Sequence, residues 1–181
     1  MYIQSSMPQN KIFQQAISAL LLALVLASPV QAKSKSLINP GDALPAFRTA
    51  STDKAEFVAP ADLEGTVTIF VLFGTWCPVC KRFFRDLQPR LPELKAQGVQ
   101  VVALGQDHTV EELIRFRDDN GWAGVQYLAD PGFKVQKLFG TSSVPQIYVV
   151  DRRGVVLDHI AGYAEAAWPR LDKQLRYAAQ R

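Results

Sequence analysis

The sequence predicts one α/β domain: a central mixed sheet flanked by helices. Three observations predict it. Residues 66–73 and 99–104 are apolar almost throughout and rich in β-branched side chains, as strands buried on both faces are. Between and beyond them, apolar residues recur at helical spacing. Near the C-terminus, Asp151-Arg-Arg-Gly154 separates two short β-prone runs, which reads as a hairpin and gives the sheet an antiparallel part. With 181 residues, 48% of them hydrophobic, collagen-like, disordered and coiled-coil classes are excluded. The net charge of +3 is too slight and too evenly spread for a nucleic-acid partner.

In chain order, residues 1–32 read as a signal peptide outside the fold. Their only charge is Lys11, followed by the 12-residue run 16–27, which is short of the roughly 20 apolar residues a membrane span needs. Ser28-Pro29 ends that run, and Val30-Gln31-Ala32 offers a cleavage site after Ala32. Such a leader implies a periplasmic or otherwise extracytoplasmic protein; an uncleaved anchor facing the periplasm is the alternative, and any other membrane contact would be transient. Residues 33–45 read as a polar connector and 46–181 as the domain. Residues 47–58 hold two short strands around Asp53-Lys54, and the strand 66–73 runs straight into Gly74-Thr-Trp-Cys-Pro-Val-Cys80. Val79, Phe83, Phe84, Leu87, Leu91 and Leu94 then mark a helix, kinked near residue 89 by Pro89 and Pro92 and stopped at Gly98. After the strand 99–104, Thr109 and Glu112 form a capping box for a helix ending at Asn120-Gly121. Residues 126–129 read as a strand, and Asp130-Pro131 as the start of a helix running to Phe139 and closed by Gly140. Strands 147–150 and 155–160 flank the hairpin turn, and a last helix begins at Trp168-Pro169 and buries Trp168, Leu171 and Leu175.

Cys77 and Cys80 are the only cysteines. A Cys-x-x-Cys pair serves as half of a zinc site, as a structural disulfide or as a redox dithiol. Zinc needs two further ligands, and His108 and His159 lie in a loop and a strand at irregular distances, so no metal is expected. A bridge closing so small a loop constrains the unfolded chain little. The placement favours redox work. Cys77 stands where a buried strand ends and a helix begins, beside unpaired backbone N–H groups and the positive end of the helix dipole, both of which stabilise a thiolate. Pro78 suits the first helical turn, and Cys80 falls inside that turn. Cys77 is thus the expected nucleophile and Cys80 the resolving thiol, with the Cys77–Cys80 disulfide as the redox group and no added cofactor.

Trp76-Cys-Pro-Val-Cys80 after an apolar strand, with Val144-Pro145 opening a later one, resembles the thioredoxin superfamily. The leader and the extra α-β segment before Val144 make the chain similar to its TlpA/DsbE-like extracytoplasmic branch, over roughly residues 41–178. The resemblance implies a thioredoxin-like fold with an α-β insertion ahead of the cis-proline strand, Pro145 being that cis-proline. It implies substrate contacts from Trp76, Pro78, Val144 and Pro145, with the Val144 backbone pairing to an extended substrate. It also implies cysteine-containing protein substrates and a membrane or soluble thiol-redox partner.

Two positions depart from that pattern. Reductases of the branch commonly carry a glutamate three residues after the second cysteine, and cytosolic thioredoxins an aspartate six before the first; here Phe83 and Val71 stand there. Residue 146 is Gln where cytochrome-maturation members often have Glu. Asp86 is a candidate substitute, although its helix face reads as solvated. Lys81, Arg82 and Arg85 share one helix and are candidates to stabilise a thiolate, although two of the three read as an exposed basic face, and Trp76 reads as both a cover over the cysteines and core packing. Trp122, Tyr148 and Tyr163 read as packing; His108 follows Gln106-Asp107 at a strand end, near where such sites open, but as a lone loop histidine reads as structural, and His159 carries no functional signal. The expected activity is thiol-disulfide exchange in the reducing direction, with net thiol oxidation or Cu(I) binding by the two soft thiolates as alternatives.

Overall fold

A computed structural model describes residues 37–106 and 108–181; the expected leader lies outside them. No described helix is long and apolar enough to cross a membrane. Strands β3 (Val67–Phe73), β4 (Val99–Gln106), β5 (Gln126–Asp130), β6 (Gln146–Val150) and β7 (Val156–Ala161) form one sheet in the order β5-β4-β3-β6-β7. β3 lies at its centre, parallel to β4 and antiparallel to β6. Every residue of β3 is buried because its side chains alternate between two cores. Val67, Ile69, Val71 and Phe73 face one cluster; Phe70 and Leu72 face the other.

The first cluster is covered by α1 (Pro78–Leu87), α2 (Leu91–Ala96), α3 (Val110–Asn120) and α5 (Trp168–Ala179). A 3-10 turn over Gln88–Arg90 separates α1 from α2, where the two prolines predict a kink. Phe73 packs edge-on to Phe84 at 5.0 Å and against Phe116 at 5.4 Å, so the end of the strand that enters the Cys-x-x-Cys loop is fixed by aromatic packing. The second cluster lies under the β1 (Phe47–Thr49) and β2 (Phe57–Ala59) hairpin and α4 (Gln136–Phe139). Within the stretch expected as a connector, Leu37 N–H reaches the Phe139 carbonyl at 2.9 Å, Leu44 N–H reaches that of Gly154 at 2.8 Å, and Leu44 is buried.

One helix starts later than expected. Asp130 closes β5, and its carboxylate accepts from the backbone of Val135 and Gln136, each at 2.8 Å, across a turn in which Gly132 and Phe133 adopt positive φ. The helix therefore begins at Gln136, not Pro131.

Asp151 organises the β6–β7 turn. Its Oδ1 accepts from Arg153 and Val155 N–H at 3.0 Å each, and Oδ2 from the Arg153 guanidinium at 3.3 Å. Burial opposes ionisation, but the Val155 and Arg153 amides and the guanidinium outweigh it and hold the carboxyl below the ordinary carboxylate range. A depressed folded-state pKa stabilises above the unfolded value of about 3.9, and that contribution is lost as pH falls through the folded value. Asp151→Asn is expected to cost about 1–2 kcal/mol in urea unfolding at pH 7. The gap from wild type should close below about pH 4; a gap that persists undiminished to pH 2 would show that the charge contributes nothing.

Candidate active site

The strand-to-helix junction places the cysteines. After β3, Gly74-Thr75-Trp76 turns the chain, and Cys77 N–H donates to the Gly74 carbonyl at 3.0 Å. Cys77 is the N-cap of α1, with extended backbone and Pro78 in the first helical turn. Its Sγ accepts from Cys80 N–H at 3.2 Å, so one of the orphan amides of the helix end points at sulfur. A thiolate there gains both that hydrogen bond and the helix dipole. Cys77 is 4% exposed and Cys80 fully buried. Burial, and then the hydrogen bond with Cys77, push the Cys80 thiol far up. Both cysteines are free thiols. Phe83 and Val71 lie in the same apolar cluster as Cys80.

Val144–Pro145 is cis, as is Ala59–Pro60. The cis turn brings the Val144 carbonyl to 3.8 Å from Cys77 Sγ, so the two segments of the sequence motif meet. Trp76 differs from expectation: it is 65% exposed and is not core packing. Its indole lies over Gly74, where a Cβ would approach the ring to 2.6 Å, so the glycine is what lets the ring fold back onto the loop rather than into the sheet. Arg82 and Arg85 are exposed and Lys81 half-buried, in line with a basic helix face.

The structure gives several side chains around the site long-range partners that local sequence patterns do not show. Thr75 N–H donates to His108 Nε2 at 3.2 Å. A backbone N–H only donates, so that nitrogen is the lone pair and the ring proton sits on Nδ1, 3.7 Å from Glu112. Glu112 also caps α3 by accepting from Thr109 N–H at 2.8 Å, so His108 ties the Cys77 loop to the start of that helix. Thr75, Lys81, His108, Glu112 and Arg115 line a shallow polar depression there. Asp86 is half-buried rather than solvated. It accepts from Tyr163 OH at 2.6 Å, and Tyr163 in turn accepts from Trp168 Nε1 at 2.8 Å. Gly162 N–H reaches the Pro145 carbonyl at 2.8 Å, so Tyr163 and its neighbour link the cysteine helix to the cis-proline turn. Among the described residues, no group of three His, Cys, Asp or Glu side chains converges to hold a metal.

A Cys-x-x-Cys helix N-terminus against a cis-proline strand, on a five-stranded mixed sheet, places the chain in the thioredoxin-like fold class. The AhpC/TSA family model matches residues 40–159 of the 181, and the chain belongs to that family. It is 28% identical over 101 residues to thiol-disulfide oxidoreductase ResA of Bacillus thuringiensis, covering 56% of this chain and 58% of that one. It is 29% identical over 123 residues to thiol:disulfide interchange protein HelX of Rhodobacter capsulatus, covering 67% and 68%. The fold superposes with a TM-score of 0.70 and 25% identity on a structure described as thiol:disulfide interchange protein DsbE from Chlorobium tepidum, over 78% of this chain and 99% of that one.

Proposed function

We propose that this protein is a periplasmic thiol-disulfide oxidoreductase that reduces protein disulfides. The observation that carries the proposal is the Cys80 N–H to Cys77 Sγ hydrogen bond at the helix N-cap, facing the cis Val144–Pro145 turn. The names of the ResA and HelX relatives support the thiol-disulfide chemistry. The Cys77 thiolate attacks one sulfur of a substrate disulfide; the S–S bond breaks, and the departing substrate thiolate takes up a proton. Cys80 then loses its proton, attacks Cys77 Sγ and releases the second substrate thiol, leaving the Cys77–Cys80 disulfide and two electrons on the substrate. The Val144 backbone holds the substrate as an added extended segment, with Trp76, Pro78 and Pro145 beside it. A membrane or soluble thiol partner restores the dithiol.

Equilibration with glutathione buffers tests the direction. The expected midpoint lies below about −180 mV, the value of isomerase-type proteins. A midpoint above it would overturn the reducing direction in favour of net oxidation.

A further inference from the structure

Gln146 directly follows Pro145 and is 1% exposed. Its Nε2 donates to the Ser143 carbonyl at 3.0 Å and to Ser143 Oγ at 2.7 Å. A backbone carbonyl only accepts, so this end of the amide is the nitrogen, and both of its hydrogens are directed at Ser143. Gln146 Oε1 then requires a donor, and His159 Nε2 lies 2.6 Å from it. The imidazole must carry a proton on Nε2.

His159 is itself held firmly. Its ring stacks on Tyr148, its cross-strand partner, at 4.5 Å and 9°. Its backbone N–H donates to Asp158 Oδ1 at 2.9 Å, and its backbone carbonyl accepts from Arg170 at 3.2 Å. Burial lowers its proton affinity, with Asp158 opposing and Arg170 assisting, which favours the neutral imidazole; the Gln146 contact places its one proton on Nε2. A rigid donor on β7 thus fixes a buried amide on β6, and that amide grips the residue two before Pro145.

We propose that His159 is a positioning residue that acts through Gln146 to fix the 143–145 turn, and with it the Val144 backbone that aligns an extended substrate with Cys77. The proposal rests on the thiol-disulfide reading. Without the donor, Gln146 Oε1 is buried and unpaired, and the amide holds Ser143 less firmly. His159 has no contact with the cysteines on this account, so its loss weakens substrate alignment while leaving sulfur reactivity alone.

His159→Phe keeps a ring on Tyr148 and removes the donor; His159→Gln places an amide N–H close to the lost one. Three readouts are compared in the full-length protein: insulin disulfide reduction, Cys77 alkylation by iodoacetamide, and amide hydrogen exchange over residues 143–147. For His159→Phe the expected result is a KM for insulin raised about tenfold. Its alkylation rate stays within about twofold of wild type, and exchange is faster at Ser143 and Val144; His159→Gln reverses the KM and exchange changes. Unchanged exchange in His159→Phe, an unchanged KM with active wild type, a fall in alkylation, or no rescue by His159→Gln would overturn the proposal. A wild type that alkylates at Cys77 yet never reduces insulin would count against the thiol-disulfide reading instead, and exchange alone would then decide whether His159 holds the turn.

Discussion

Cys77→Ser is expected to lose thiol-disulfide exchange by about a thousandfold or more, the scale seen when a nucleophile is removed, whereas Cys80→Ser is expected to accumulate covalent complexes with its substrates. The asymmetry follows from which group each substitution removes. The donor to Cys77 Sγ is the backbone N–H of residue 80, which serine retains, so the attacking sulfur in Cys80→Ser keeps its hydrogen bond and its place at the helix N-terminus. What disappears is the second thiol, and the mixed disulfide has no internal route to resolution. Non-reducing electrophoresis of Cys80→Ser from its native compartment, followed by mass spectrometry of the dithiothreitol-released partners, reads the result. Complexes formed by Cys77→Ser and not by Cys80→Ser would reverse the two roles; complexes from neither would remove the exchange activity from the proposal. The burial of Cys80 and its strongly raised thiol make the reversed result hard to reconcile with the site, since the thiolate is the attacking species.

How much of this site is legible in the sequence depends on how far each partner lies along the chain. The N-cap placement of Cys77 follows from a local pattern, an apolar run meeting Pro78 and helical spacing, and local patterns specify strand ends and helix starts. Asp130 shows the limit of such patterns: a carboxylate before proline reads as an N-cap, yet it reaches amides five and six residues on, because Gly132 and Phe133 make room for an intervening turn. Trp76 shows another, since apolar character predicts burial and takes no account of a glycine two residues earlier that seats the ring outside the core. The cis geometry at Pro145 comes from family resemblance alone, as nothing local distinguishes this Val-Pro from a trans one. His108 meets Thr75 across 33 residues, and Asp86 meets Tyr163 across 77. Periodicity registers only which face is apolar, so side chains whose role is a single long-range hydrogen bond leave no trace in it.

The two apolar residues at positions 71 and 83 were legible as departures, and the structure turns one of them into a quantitative expectation. Phe83 is fully buried, one turn beyond Cys80, with its ring edge-on to Tyr163 at 5.3 Å and stacked on Trp168 at 6.0 Å. Phe83→Glu, which places a carboxylate where reductases of the resembled branch carry one, is expected to destabilise the protein by about 4 kcal/mol or more at pH 7, through lost packing and a buried, unpaired charge. That is a large share of the 5–15 kcal/mol typical of a domain. Burial would raise the new glutamate above its unfolded pKa of about 4.3, so the charge penalty is absent below that value and grows as pH rises toward the folded-state pKa. The deficit relative to wild type, measured by urea unfolding, should therefore be smallest near pH 4 and widen toward pH 7, leaving only the packing loss at the acid end. A deficit of less than about 1 kcal/mol that does not change with pH would mean that water or a cation reaches position 83. The pocket around Cys80 would then not be dry, and the burial that holds its thiol up in the structure would have to be relieved in solution.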